Sequence, residues 1–425
     1  MKQIITLIII CAGAVQNFEL DKINGILGTV QIIEFDSDSN IYIGSNLPSD
    51  AAIYKLNSAK QVIVKHEGWL VYVESILTTN SNNAYLFDNT NGGGIFFIGR
   101  NESSMDRLYE FPMNDWQVPV YFMDKKDNIY LNTANGVAVI KPKDVEARGI
   151  SVPKCVENLE NFSITNEFTY AIDYLGNIYL GGTFNGDSAP KIAVILNYEQ
   201  DKLVPSAKIY DAPNLNLKTL SSIGIDPSGG NALVAFSGNQ ARIYKLNPDF
   251  QLIFGEYLYN FSSLYSTEDK FYFFAENIYI GGCYLHVGYY DYQKYSYNIT
   301  ALPNSFSDLC NGANFTSDSE GNIYFASKKE VFLLRNNAEM NLEKIIFPAE
   351  LQYKITALLV DDNDNLWILA GNLYVARKNL LGAMQYTYTP FAIEEGVMKL
   401  HPETKEIFIG SENGLYVFSE GVLTR

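Results

Sequence analysis

The chain is poor in the residues from which most recognisable chemical sites are built. Only four cysteines and three histidines occur in 425 residues. The histidines, His66, His286 and His401, are scattered, with no second ligand at zinc spacing. Four cysteines are too few for a scaffold built on disulfides. No G-x-x-x-x-G-K-[ST] loop, no G-x-G-x-x-G opening a helix and no G-x-S-x-G elbow is present. Basic residues are also in short supply: 31 Lys and Arg against 48 Asp and Glu leave a formal charge of −17. A chain this acidic repels a phosphate backbone and an anionic lipid surface, so neither nucleic acid nor membrane is an expected partner. Long stretches of helical period are missing as well.

What the chain does have is tyrosine (30) and phenylalanine (25), with many Ile and Val, a composition that favours strands. Its one long apolar run is N-terminal, in MKQIITLIIICAGAVQ. Lys2 supplies a positive start, Ile4 to Cys11 an apolar stretch, and Ala12-Gly13-Ala14 a small-residue cleavage site. The expectation is a signal peptide over 1–14, a mature chain of 15–425 and secretion, with a buried first strand or helix as the bland alternative. Eight or nine apolar residues are too few to span a bilayer.

Secretion leaves Cys155, Cys283 and Cys310 in the mature chain. Cys283 with Cys310 is the expected disulfide, because they lie within one repeat length of each other; three unpaired thiols is the competing reading. Glycosylation sequons fall at Asn101, Asn161, Asn260 and Asn298. A fifth, at Asn314, sits in an expected strand and is not counted.

A repeat runs along the whole chain. DSDSNIYIGS starts at Asp36, DKKDNIYLNT at Asp124, DYLGNIYLGG at Asp173, DSEGNIYFAS at Asp318 and DDNDNLWILA at Asp361. Weaker copies begin at Asn80, Asp226, Glu268 and Pro402, giving nine in all, spaced about 41 to 53 residues apart. Each copy has an apolar run, an Asp/Asn/Gly turn, a second run, often an Asn-Gly turn, and a third run. That grammar is a meander of β-hairpins, with a more variable fourth strand to complete it. One such sheet cannot cover both of its faces, and radial packing solves the problem. The expected fold is therefore all-β: a single β-propeller of four-stranded antiparallel blades, eight or nine in number, with seven still open. The last copy ends after three strands, so the mature N-terminal strand, around Phe18 to Ile23, is expected to close the ring.

The Asp-rich turns invite a calcium reading, since Asp36, Asp38 and Asn40 have the spacing of an EF-hand loop, as do Asp361, Asn363 and Asn365. Yet Ile41 or Leu366 stands where that loop needs Gly, and no Glu closes it. Turn formation explains the Asp and Asn residues better. Gly181-Gly182 reads as strand-end punctuation. No metal and no cofactor is expected. The densest anomaly is CYLHVGYYDYQKYSYN, Cys283 to Asn298. Tyrosine offers a stacking face and a polar tip, which suits an aromatic ligand or a protein. Tyr284, His286, Tyr289, Tyr290 and Tyr292 are the candidate binding residues; the bland alternative is that they simply build a blade's outer strands. Trp69 and Trp116 are secondary candidates, and Trp367 reads as packing.

The D-x-x-G-N-[IL]-[YW]-[ILV]-G pattern resembles the regulator-type propeller repeat of sensor ectodomains, with cousins among streptogramin lyase-like proteins. Asp173, Gly176, Asn177, Ile178, Tyr179, Leu180 and Gly181 carry that likeness, and Asn413, Gly414, Leu415 and Tyr416 match its tail. It implies a fold and no activity. Signal peptide and repeat style together also look like the insect ommochrome-binding proteins, which are extracellular carriers of an aromatic pigment. Neither the channel metal set of gluconolactonase-type enzymes nor the histidine pair of the lyases maps onto this sequence. The expectation is a secreted, monomeric binding protein that presents a small aromatic ligand or an extracellular protein on one rim, without catalysis. The alternatives are a metal-dependent hydrolase with carboxylates in a central channel, and a matrix-type interaction protein.

Overall fold

The computed structural model describes residues 4–5, 18–46, 51–70, 73–88, 94–110, 121–142, 145, 153–165, 169–187, 189–212, 219–226, 232–237, 241–246, 251–256, 258–259, 265–267, 270–277, 283–306, 315–337, 340–346, 351, 353–378, 384–393 and 396–420. Among them the chain forms nine antiparallel sheets built on four strands each, the blades of a β-propeller. Each sequence repeat contributes one blade, and its Asp/Asn turn joins the first strand to the second. Blade 1 shows the plan: Thr29–Phe35, Ile41–Asn46, Ala51–Leu56 and Val62–Leu70, paired in order. Blades 2 to 8 follow in chain order.

The second and third strands of a blade are the most deeply buried. Ala51–Leu56, Ala84–Asp88, Gly136–Ile140, Leu366–Leu369 and Ile407–Ser411 are buried along their length. Both of their faces meet neighbouring sheets, so they read as continuous apolar runs without polar alternation.

The chain divides into two compact units. The first comprises Met1–Pro112 with Asn314–Arg425 and holds blades 7, 8, 9, 1 and 2. Ring closure lies inside it. Gly396–Leu400, Ile407–Ser411 and Gly414–Glu420 supply three strands of blade 9, and Phe18–Lys22 supplies the fourth. The register runs from Phe18 opposite Glu420 to Lys22 opposite Tyr416. Ile23 then donates its N–H to Leu415 O at 2.9 Å, and Ile23 and Ile26 enter the core. Contacts between blades 9 and 1 staple the seam: Lys399 to Glu34 at 2.5 Å, Lys60 to Glu406 at 2.5 Å, and the Ser39 hydroxyl to Glu403. Ile4–Ile5 pairs outside Phe18–Glu19 as a fifth strand.

The second unit, Met113–Ala313, holds blades 3 to 6. In blades 4 and 6 the first strand is interrupted. Phe162–Ile164 and Tyr170–Ile172 share one edge of Ile178–Phe184, and Leu258–Tyr259 and Tyr265–Ser266 share one edge of Lys270–Asn277. Gly181 and Gly182 therefore lie inside a strand that runs on to Phe184, which corrects the strand-end reading. A Cβ on Gly182 would stand 2.0 Å from the Ser163 carbonyl, and one on Gly181 2.3 Å from Leu220 of blade 5. Close approach across the interrupted edge requires glycine at 182, and packing against the next blade favours it at 181.

Candidate functional site

The repeated turn consumes its own polar groups. In blade 1, one carboxylate oxygen of Asp36 accepts the backbone N–H groups of Asp38 and Asn40. The other accepts the Asn40 amide at 2.8 Å and the Tyr42 hydroxyl at 3.2 Å. The same Asp–Asn–Tyr arrangement recurs at Asp124, Asn128 and Tyr130, at Asp173, Asn177 and Tyr179, and at Asp318, Asn322 and Tyr324. In blade 8 Trp367 takes the tyrosine's place, its ring N–H donating to Asp361 at 2.8 Å. Burial, reinforced by the adjacent carboxylate, pushes the hydroxyls of Tyr42, Tyr130, Tyr179 and Tyr324 well above the ordinary phenol range, so each remains a proton donor. Asp38 points instead to Arg100, at 2.6 Å. Among the described residues no three His, Cys, Asp or Glu side chains converge in a way that could hold a metal.

The histidines also serve the scaffold. His401 replaces the turn aspartate in blade 9, and its Nδ1 accepts the N–H groups of Glu403 and Thr404. Nε2 of His66 accepts the Met105 N–H at 3.0 Å. His286 is 3 % exposed, stacked on Phe273 with ring centroids 4.7 Å apart, and its Nδ1 lies 3.1 Å from the Tyr284 carbonyl. A carbonyl only accepts, so Nδ1 carries the hydrogen. Burial pulls the His286 imidazole down to about 4.

Blade 5 departs from the plan. Leu233 stands where blades 1, 3, 4 and 7 place their turn tyrosine, opposite Gly224 in the pair that follows Ile225–Ala232. The carboxylate of Asp226, fully buried, accepts the hydroxyl of Tyr297 from the fourth strand of blade 6. Lys245 repeats the position of Lys55, since both sit in I-Y-K-L-N. The Lys55 ammonium lies 5.3 Å from the Tyr42 ring of its own blade and donates to Arg100 O at 2.7 Å. Lys245 faces Leu233 rather than a ring at the matching register position of its own blade. Its ammonium lies 5.7 Å from the ring centroids of both Tyr290 and Tyr297, and 3.6 Å from Asp226. The tyrosine-rich hairpin of blade 6 is thus anchored to blade 5 through a cation held between two rings.

The five candidate binding residues separate. His286 is in the core, and Tyr284 is half-buried near the start of Cys283–Asp291. Tyr289, Tyr290 and Tyr292 gather at the far end of that strand, where the Tyr290 ring meets those of Tyr292 and Tyr297 edge-on, each at 5.0 Å. Trp367 is buried against Phe418 at 4.6 Å. Trp116 and the Trp69 side chain lie outside the described residues, as do Cys310, Asn260 and Asn314. Asn101 and Asn161 are exposed in turns, Asn298 donates its amide to Asp291 at 3.2 Å, and Cys155 is a free thiol.

A wider pattern surrounds these tyrosines, and local sequence reading missed it. In an antiparallel meander, the first-to-second and third-to-fourth turns lie at one end of the blade. Eight exposed large apolar side chains occur among the described residues of the 113–313 unit, and all eight are at that end. Tyr174 and Leu175 sit in the blade 4 turn, Tyr198 on a 3-10 helix at Asn197–Asp201, and Leu203 just beyond it. Leu252 begins the fourth strand of blade 5, while Tyr289, Tyr292 and Tyr295 cap the blade 6 hairpin. The blade 4 ledge is rigidly held: Gln200 donates to Gly176 O, and Asn197 to Leu175 O, each at 2.6 Å.

No family model matches the chain, and no curated protein matches it. Solved structures do. A eukaryotic initiation factor aligns with a TM-score of 0.55 at 9 % identity, over 88 % of this chain and 90 % of that one. Sqt1 of Saccharomyces cerevisiae aligns at 0.50 and 10 % identity, over 95 % and 98 %. A streptogramin B lyase aligns at 0.43 and 10 %, over 95 % and 98 %. At these identities the likeness to the first two shows the β-propeller fold and carries no chemistry with it.

Proposed function

We propose that the protein is a secreted, non-catalytic binding propeller that holds an extracellular protein partner against the first-to-second and third-to-fourth turn end of its 113–313 unit. The observation that carries this reading is the placement of all eight exposed large apolar side chains of that unit at one end. Apolar side chains gathered on one face mark interaction surfaces, and tyrosines presented on a rigid support bind at low entropic cost. These groups stand out from turns, which suits a protein surface better than a small molecule enclosed in a pocket. The two rings best placed to stack an aromatic ligand, Tyr290 and Tyr297, already hold Lys245 between them. Within the tyrosine-rich hairpin, Tyr289 and Tyr292 are the contact residues and Tyr290 is their support.

Secretion fits the apolar N-terminus. Cleavage after Ala14 removes Ile4–Ile5 and leaves the closing strand Phe18–Lys22 whole. It fits the cysteines too. Ser305 pairs with Tyr284, and Phe306 donates its N–H to Cys283 O, so the chain leaves that point only four residues before Cys310. A Cys283–Cys310 bridge needs little extra chain. Asn101 and Asn161 offer exposed acceptors for sugar.

Photo-crosslinking tests the binding face. A benzophenone side chain at Tyr174 or Tyr292, in protein placed in the fluid conditioned by its source cells, is expected to capture one discrete partner. The same group at Ile63, exposed on blade 1, serves as the comparison. Equal capture from all three positions, or none from Tyr174 and Tyr292, refutes the assignment of the face.

A further inference from the structure

A second surface, in the other unit, has opposite electrostatic character. Blade 7 joins its second and third strands, Ile323–Ser327 and Glu330–Leu334, through the two-residue turn Lys328-Lys329. Both lysines are exposed. Lys328 has φ 53, a left-handed backbone at the first central position of a tight hairpin. Such turns favour Gly or Asn at that place. The corresponding turns of blades 3 and 9, Ala134-Asn135 and Glu412-Asn413, avoid a left-handed backbone at that place and put it on Gly136 and Gly414 instead. A lysine pair is a locally unfavourable choice that turn formation does not explain.

The neighbours of this turn are equally unusual. Ile355 donates its N–H to Lys328 O at 2.8 Å, which brings exposed Lys354 and Tyr353 to one side. Val331 pairs with Ile345, which brings Ile346, 77 % exposed, to the other. Glu330, the acidic residue within the turn's own hairpin, is bound by Lys344. In a chain of charge −17 this surface gathers three lysines around two exposed apolar side chains.

We propose that Lys328, Lys329 and Lys354, with Ile346 and Tyr353, form a docking site for a short acidic peptide segment that carries an apolar side chain. The charge selects an anion, and the exposed isoleucine and tyrosine select an apolar anchor within it. The size of the positive area selects a short segment. At physiological salt, charges are felt over about 8 Å, so a peptide confined to the patch is held chiefly by its lysines, the neighbouring Glu330 being bound by Lys344. A membrane or a nucleic acid extends beyond it onto acidic surface and is repelled. A second copy of this chain brings the same net negative charge.

Fluorescence anisotropy tests the site with a labelled glutamate-rich peptide containing leucines and with its leucine-free analogue. The leucine-containing peptide is expected to bind severalfold tighter than the analogue, and more weakly as salt is raised. Combined Lys328→Glu, Lys329→Glu and Lys354→Glu substitutions should weaken binding by about tenfold or more, while Lys65→Glu on blade 1 should not. Lys328→Gly is expected to raise the melting temperature while weakening binding, because it removes both the charge and the left-handed strain. Equal binding of the two peptides, or insensitivity to the triple substitution, overturns the proposal. Capture by phosphatidylserine vesicles or heparin through the same lysines, without peptide binding, does so too.

Discussion

The hydroxyl of Tyr297 in blade 6 donates to the carboxylate of Asp226 in blade 5, a bond that four other blades make within themselves. Blade 5 has Leu233 at the tyrosine position, and the missing donor is supplied by its neighbour. Removing a hydrogen bond from a buried carboxylate costs about 1.5–3 kcal/mol. Tyr297→Phe is accordingly expected to destabilise the protein by about 2 kcal/mol, comparable to Tyr179→Phe, where the pair is within one blade. Denaturant unfolding of the two variants checks this; a neutral Tyr297→Phe beside a costly Tyr179→Phe counts against the cross-blade bond.

Ring closure makes a larger demand. Deleting residues 15–27 removes the fourth strand of blade 9, the Ile23 and Ile26 side chains, and one end of the seam. Two buried isoleucines alone contribute about 3–6 kcal/mol, so a drop of many degrees in melting temperature is expected by scanning calorimetry. An unchanged melting temperature would mean that blade 9 does not depend on the N-terminal strand.

The acid response follows from His286. Its folded value of about 4 lies below the ordinary 6.5. Between those values the unfolded chain binds a proton that the folded chain refuses, so stability rises with pH across that window. It is lost progressively as pH falls from about 6.5 towards 4. A shift of this size corresponds to at most about 3 kcal/mol. Burial also lowers His401, which adds in the same direction. His286→Phe should shrink the stability difference between pH 7 and pH 4 by about 2–3 kcal/mol and leave the His401 part. Identical pH profiles for the two proteins would place His286 in solvent.

The cysteines give a simple count. In the mature protein, unfolded without reductant, one thiol is expected to react with Ellman's reagent, that of Cys155, and three after reduction. Three reactive thiols before reduction would remove the Cys283–Cys310 bridge.

The fold was legible because five of the nine blades repeat the same turn chemistry. Asp36, Asp124, Asp173, Asp318 and Asp361 each need an Asn four residues on and a ring donor six on, and this spacing is visible without coordinates. All nine copies, the weaker ones at Asn80, Asp226, Glu268 and Pro402 included, fall on nine blades. Closure by the N-terminal strand was legible from the three-stranded last copy. The candidate surface was only half legible. The tyrosine cluster of 283–298 stood out by density, but whether a tyrosine faces solvent, core or a neighbouring lysine depends on position along the strand and on the adjacent blade. Tyr292 and His286 look alike in a string and lie at opposite extremes of exposure. Leu175 and Tyr198 gave no local signal at all, since their significance lies in sharing one end of a unit with residues a hundred positions away.

Hydroxyl-radical footprinting, read by mass spectrometry, tests the binding face most directly. The protein is compared alone and in the fluid conditioned by its source cells. Protection of Tyr174, Leu175, Tyr198, Tyr292 and Tyr295, with Leu27 and Ile63 labelled equally in both, is the expected result. Unchanged labelling of those five side chains, or protection confined to Leu27 and Ile63, would contradict a partner-binding face at that end of the 113–313 unit.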